Sequence, residues 1–114
     1  MERNSFNSIV ISYFDDIKDK YMNDVRNEWG GEEIGSTILI EDYLLPYVYD
    51  NLDDLNVMNK LSNLLEKLIS LNDDYCEEVL YSSFFEKIHY DDVEDRFLDY
   101  YKAKTREFYY KLKY

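Results

Sequence analysis

LNVMNKLSNLLEKLISLND, residues 55–73, decides the fold. Leu55, Met58, Leu61, Leu65, Leu68 and Ile69 recur at intervals of three and four, the period that lines one face of an α-helix. Asn72 and Asp73 close the run, since both residue types favour turns. A second stripe starts at once, with Tyr75, Cys76, Val79, Leu80, Phe84 and Ile88 inward. Asp74, with Glu77 three residues later, gives it an acidic helix-start signal. Amphipathic helices joined by so short a link favour antiparallel packing, with Leu65 and Phe84 in the core.

The same period continues outward in both directions. Upstream, Phe6, Ile9, Val10, Tyr13, Ile17, Tyr21 and Val25 predict one helix running to about Trp29, with Asp15, Asp16, Lys18, Asp19 and Asp24 on its other side. Gly30 and Gly31 end it, because glycine takes the left-handed conformation past a helix terminus at no steric cost. Residues 32–35 read as a loop, and Ser36 or Thr37 can cap a second helix through about Leu45. Pro46 must break or restart that helix, since it lacks an N–H and restricts Leu45. STILI, 36–40, alternatively fits a short strand, for which the chain offers no obvious pairing partner. Downstream, a fifth helix is predicted from about Asp92 to Lys111, with Val93, Phe97, Leu98, Tyr101, Phe108 and Leu112 inward. The expectation is an all-α fold: a single helical domain over residues 1–114, a bundle of about five helices, the second interrupted at the proline.

Composition agrees. A chain of 114 residues suffices for one core, and 46% apolar residues keep it in the folded class despite a net charge of −12. With only 3 Gly and 1 Pro there are few of the residues that an all-β fold needs at its turns. No stretch approaches the roughly 18 uninterrupted apolar residues of a membrane span. In MERNSFNSIVISYFDDIKDK, Asn7, Ser8 and Ser12 interrupt the apolar segment and no small-residue cleavage site follows, so the segment reads as a helix and not a signal peptide. The lone Cys76 has no internal disulfide partner, which fits a reducing cytoplasm. A pI near 4.3 sets the body against nucleic-acid phosphates and anionic lipid. The expected partner is therefore a basic protein, with no direct nucleic acid and no membrane; self-association stays open.

No motif for chemistry emerges. Cys76 falls on an inward stripe and His89 in a loop beside acids, so the pair lacks the reach that nucleophile activation needs. His89, Asp91, Asp92 and Glu94 could surround a metal, but acids at a helix end more often cap it, and no H-E-x-x-H is present. DNLDDLNVMNKL fails the calcium-loop template, with Leu at a ligand position and no Gly at the sixth. The glycines are not followed by G-K-[ST], so no phosphate loop exists. The chain is expected to be no enzyme and to need no cofactor or metal.

Charge and tyrosine content point to binding. Residues 71–97 carry Asp73, Asp74, Glu77, Glu78, Glu86, Asp91, Asp92, Glu94 and Asp95 against Lys87 and Arg96. The doublets Asp73–Asp74 and Asp91–Asp92 sit at predicted helix N-termini, where the macrodipole favours them. Caps do not require the rest of the excess. The last segment reverses sign with Lys102, Lys104, Arg106, Lys111 and Lys113. Of the 13 tyrosines most suit core edges, yet the fifth helix aligns Tyr100, Tyr110 and Tyr114, with Glu107, on a second face. The candidate partner surface is thus Asp73, Asp74, Glu77, Glu78, Asp91, Asp92, Glu94 and Asp95 with Tyr100, Tyr110 and Tyr114 as anchors.

From about Glu41 onward, LLPYV, a long Leu-rich helix and NDDYCEEVLYSSFFEKI resemble a group of small helical bacterial proteins of unassigned activity. Several such groups act as immunity proteins beside polymorphic or contact-dependent toxins. The resemblance implies an acidic antitoxin that blocks a basic toxin domain after electrostatically steered encounter. Two other classes fit the composition: a DNA-mimic inhibitor, against which the basic tail argues, and a structural or assembly subunit of a larger complex.

Overall fold

The structure, a computed structural model, describes residues 1–32 and 34–112. The described residues form helices and no strand, so the all-α expectation holds and STILI is helical. Helix α1 (Arg3–Ser12) and helix α2 (Asp15–Asn27) replace the single predicted first helix. The break falls at Phe14, whose extended backbone (φ −139°, ψ 103°) turns the chain while its ring is buried beside Tyr47. Asp15 and Asp16 then occupy the first turn of α2, where helix amides favour negative charge. Gly30 and Gly31 end α2 with positive φ, and the Gly31 N–H reaches back to the Val25 carbonyl at 2.7 Å.

Two rods form the centre. Helix α3 (Ser36–Ile38), a π-helical segment (Leu39–Leu44) and helix α4 (Leu45–Tyr49) run on without interruption over 36–49. Pro46 therefore does not break the path, contrary to expectation. It interrupts only the hydrogen-bond pattern: the Leu45 N–H bonds the Ile40 carbonyl five residues back, and Pro46, lacking an N–H, follows at the start of α4. The wider turn accommodates a ring that would otherwise meet the carbonyl four residues earlier. Helix α5 (Leu55–Ser70) comes next, capped by Asp54, whose carboxylate accepts from Asn56 N–H at 2.9 Å and Val57 N–H at 3.2 Å.

The second rod, over 74–90, joins helix α6 (Asp74–Leu80) to helix α7 (Glu86–Tyr90) through another π segment (Tyr81–Phe85). Its Ser82 and Ser83 hydroxyls donate to the Glu78 and Val79 carbonyls, supplying partners along the widened stretch. Consecutive residues are buried in both rods, as in Leu39–Ile40, Leu44–Leu45 and Ser83–Phe84–Phe85, so neither rod has a simple two-sided face. Helices apolar around most of their circumference belong in the middle.

The rods run parallel. Near their starts, Tyr75 donates to Ser36 Oγ at 2.7 Å; at their ends, Tyr49 donates to an Asp91 carboxylate oxygen at 2.8 Å. The Ser36 bond belongs to a buried network, in which Ser36 donates to Asn7 Oδ1 (2.8 Å) and Asn7 Nδ2 to the Ile34 carbonyl (2.9 Å). Asn7, read in the sequence as an interruption, is 1% exposed and pins α1 to the start of the 36–49 rod, from which Ser36 continues the network to Tyr75 of the second rod.

The predicted fifth helix does not exist as one piece. Two 3₁₀ turns (Glu94–Arg96, Leu98–Tyr100) precede helix α8 (Ala103–Leu112), and Tyr101 between them is extended. That path lets Phe97 and Tyr101 reach the rings of Phe84 and Phe85. Helix α8 receives its cap from α5: Glu66 accepts from Thr105 N–H and Oγ1, both 2.9 Å, and from Lys104 N–H at 3.2 Å. Burial raises this carboxyl's affinity for a proton, but the Thr105 and Lys104 donors outweigh it and hold the group below its ordinary value of 4.5. A depressed folded value means stability present above the unfolded value and lost as pH falls through the folded one. Glu66→Gln is expected to cost about 1 kcal/mol near neutral pH, with the difference from wild type closing below about pH 4 in urea melts.

Candidate functional site

The 74–90 rod separates the acids that the sequence grouped together. At its N-terminal end Asp73, not Asp74, is the cap: it accepts from Cys76 N–H at 3.1 Å and from the Met1 amine at 2.7 Å. The amine and that backbone donor hold the Asp73 carboxyl below its ordinary value. Asp74 and Glu77 fill the first turn, and Glu78 is exposed one residue on. These acids sit where the helix favours them.

Asp91, Asp92, Glu94 and Asp95 lie at the other end, about 25 Å away for a rod of this length. The sequence reading placed the Asp91–Asp92 doublet at a helix N-terminus; the structure places it at a C-terminus. Asp92 takes φ +58°, its N–H bonds the His89 carbonyl, and Val93 N–H bonds the Ile88 carbonyl, a helix stop with aspartate in the left-handed position. The rod's negative end therefore meets further negative charge, an arrangement that costs stability. Because the rods are parallel, the C-terminus of the 36–49 rod, with Asp50 as its cap, arrives at the same end.

The loop after that rod brings Asp53 and Asp54. Arg96 reaches Asp53 at 2.7 Å and the Tyr49 hydroxyl reaches Asp91, so two segments some forty residues apart form one surface. Burial and Asp91 push the Tyr49 phenol well above its usual range, which keeps it a donor. The acidic end thus assembles Asp50, Asp53, Asp54, Asp91, Asp92, Glu94 and Asp95 around Lys87 and Arg96. The sequence reading missed Asp50, Asp53 and Asp54, which it met only when rejecting a calcium loop. It also missed Tyr90, at 75% the most exposed large hydrophobic side chain among the described residues.

The tyrosine face is redistributed. Tyr100 is half-buried in a 3₁₀ turn, where its carbonyl accepts the Ser62 hydroxyl, and the extended Tyr101 separates it from α8. Tyr100 and Tyr110 do not share a helix face, and Tyr114 lies outside the described residues. Tyr110 is 58% exposed and stacks against Tyr109, whose hydroxyl donates to Glu94 at 3.1 Å. Tyr110 and Tyr90 thereby flank the acidic end.

Among the described residues no group of three His, Cys, Asp or Glu side chains is placed to hold a metal ion. His89 Nδ1 lies 3.0 Å from Glu94 Oε1, while Asp91 turns to Tyr49 and Lys87. Cys76 and His89 lie near opposite ends of one rod, about 20 Å apart by helical rise. Burial, then Asp73, pushes the Cys76 thiol up to about 11, so it is no thiolate. No helix among the described residues is long and apolar enough to cross a membrane. No family model matches the chain, and comparison with curated proteins and with solved structures found no match.

Proposed function

We propose that the protein is a non-enzymatic binding protein, an antitoxin of the immunity-protein kind, whose acidic end docks on a basic toxin domain. One observation supports this above the others: Asp91 and Asp92 stand at the negative end of a helix and beside the end of a parallel one. Asp91 answers in part to Tyr49 and Lys87, but at Asp92 a neutral residue would suit the helix end better, so its retained charge fits a role outside the fold. Parallel rods also aim two helix dipoles at one end, adding to the negative potential that draws a cationic partner. The exposed Tyr90 and Tyr110 supply ring surface at its margin, the residue type enriched where interfaces hold most of their energy.

The test is genetic and biochemical. The product of the reading frame beside this one, expressed in a bacterial host, should arrest growth; co-expression of this protein should restore it through a complex that survives purification. Rescue without a complex, or a complex untouched by charge at Asp91, Asp92 and Asp95, would defeat the proposal. Asp92→Asn gives a quieter readout. Asparagine also tolerates positive φ but removes the charge, so it should stabilise the free protein by about 0.5 kcal/mol while weakening the complex.

A further inference from the structure

We propose that the groove between α2 and the 36–49 rod is a subsite for one arginine side chain of the partner. The inference rests on the docking role of the acidic end and specifies where a partner side chain enters. The groove, of 280 Å³, is lined by Tyr43, Pro46 and Tyr47 together with Asp16, Asp42 and Asp50. That volume lies at the lower edge of the range for small-ligand pockets and is large enough for a single side chain. Asp50 and Asn51 also line the neighbouring trough that ends at Arg96, so the groove opens directly onto the acidic end.

The groove already holds a cation of its own. Lys20 Nζ lies 5.2 Å from the centroid of the Tyr43 ring, a distance at which ring and charge attract. The Tyr43 hydroxyl is engaged separately, donating to Asp24 at 2.7 Å, which fixes the ring; the side chain is 8% exposed, and Lys20 lies over the ring on the groove side. Tyr47 is oriented likewise toward Asp16 at 3.4 Å. Three lining carboxylates exceed what one exposed lysine neutralises. A guanidinium fits this arrangement better than a second ammonium, because its plane stacks on a tyrosine ring while its fork of N–H groups meets carboxylates at the edge. The incoming arginine displaces Lys20, whose long stem swings the ammonium into water.

The probe is tetra-arginine amide, titrated into the full chain at low salt and followed by backbone amide NMR. Saturable shifts should centre on Asp16, Lys20, Tyr43 and Asn51, and tetra-lysine should bind more weakly. Asp42→Asn with Asp50→Asn should weaken binding about tenfold, whereas Asp74→Asn with Glu78→Gln, the same charge removed at the far end, should change it less than twofold. Lys20→Met should tighten binding by removing the competing cation. Equal losses for the two double variants, or an absence of saturable shifts, would overturn the subsite. Shifts centred on Asp91, Asp92 and Asp95 with the groove silent would also overturn it, while leaving the docking role of the acidic end standing. Loss of growth rescue with the saturable groove shifts intact would remove the docking role and, with it, the assignment of the bound arginine to a partner.

Discussion

Phe85→Ala is expected to cost about 3–5 kcal/mol, a large share of the 5–15 kcal/mol that holds a domain together. The Phe85 ring is fully buried and meets Phe84 at 5.1 Å, Phe108 at 5.6 Å, Tyr101 at 5.8 Å and Tyr109 at 6.1 Å between centroids. Truncation leaves a cavity among side chains from the 74–90 rod, the 3₁₀ region and α8, and stiff rings collapse into such a space poorly. It also loosens α8, whose remaining anchor at its start is the Glu66 cap. Urea denaturation followed by helical dichroism gives the cost, and hydrogen exchange should show α8 amides losing protection first. Leu55→Ala serves as the comparison. That side chain, the first member of the sequence stripe, is 64% exposed and should stay within about 0.5 kcal/mol. A surface-like cost at Phe85 would show the aromatic cluster to be wrongly placed.

Reversing three charges at the acidic end, Asp91→Lys, Asp92→Lys and Asp95→Lys together, is expected to slow association with a basic partner by about 10–100-fold at low ionic strength. All three side chains are exposed; the lost Tyr49 bond at position 91 and the strain of lysine at the positive φ of position 92 cost about 1–3 kcal/mol together, so a thermal melt of the variant accompanies the kinetics. The effect should shrink as salt passes about 0.1 M, where the Debye length is near 10 Å, while dissociation changes less. Reversal at Asp74 and Glu78 should matter little, because those acids lie at the far end of the rod. Tyr90→Ala should act on the other rate constant, leaving the on-rate alone and speeding dissociation by about thirtyfold if its ring is an anchor, roughly 2 kcal/mol. Stopped-flow association and dissociation at several salt concentrations separate the two. Equal effects at both ends of the rod would mean that net charge, and not this surface, guides the encounter.

The site was less legible than the helices, and the reasons are local. In the sequence Asp91–Asp92 looks the same whether it starts a helix or stops one, since aspartate caps N-termini and also tolerates positive φ. The difference shows only downstream, where two 3₁₀ turns and an extended Tyr101 take the place of the predicted helix and carry Phe97 and Tyr101 to Phe84 and Phe85. Asp53 carried no functional signal, because its partner Arg96 comes 43 residues later, and Asp54 is spent locally as the cap of α5. Tyr90 is one tyrosine among 13, and exposure separates it from Tyr21, which is 1% exposed. The break at Phe14 did leave a trace: Asp15 and Asp16 together suit the first turn of a new helix better than the middle of an old one.

What the sequence by itself determined was the helical period. Leu61, Leu65, Leu68 and Ile69 face the core because a spacing of three and four permits nothing else, and scarce glycine and proline left no alternative architecture. Gly30 and Gly31 likewise stop α2 by their own conformational freedom. Only the tertiary structure decided how the pieces face one another. Local rules forbid regular helix at Pro46, yet burial of Leu39, Ile40, Leu44 and Leu45 keeps the rod intact through a π segment. The acidic end exists because two rods run parallel and finish together, a relation fixed by contacts between distant residues and by no property of either segment alone.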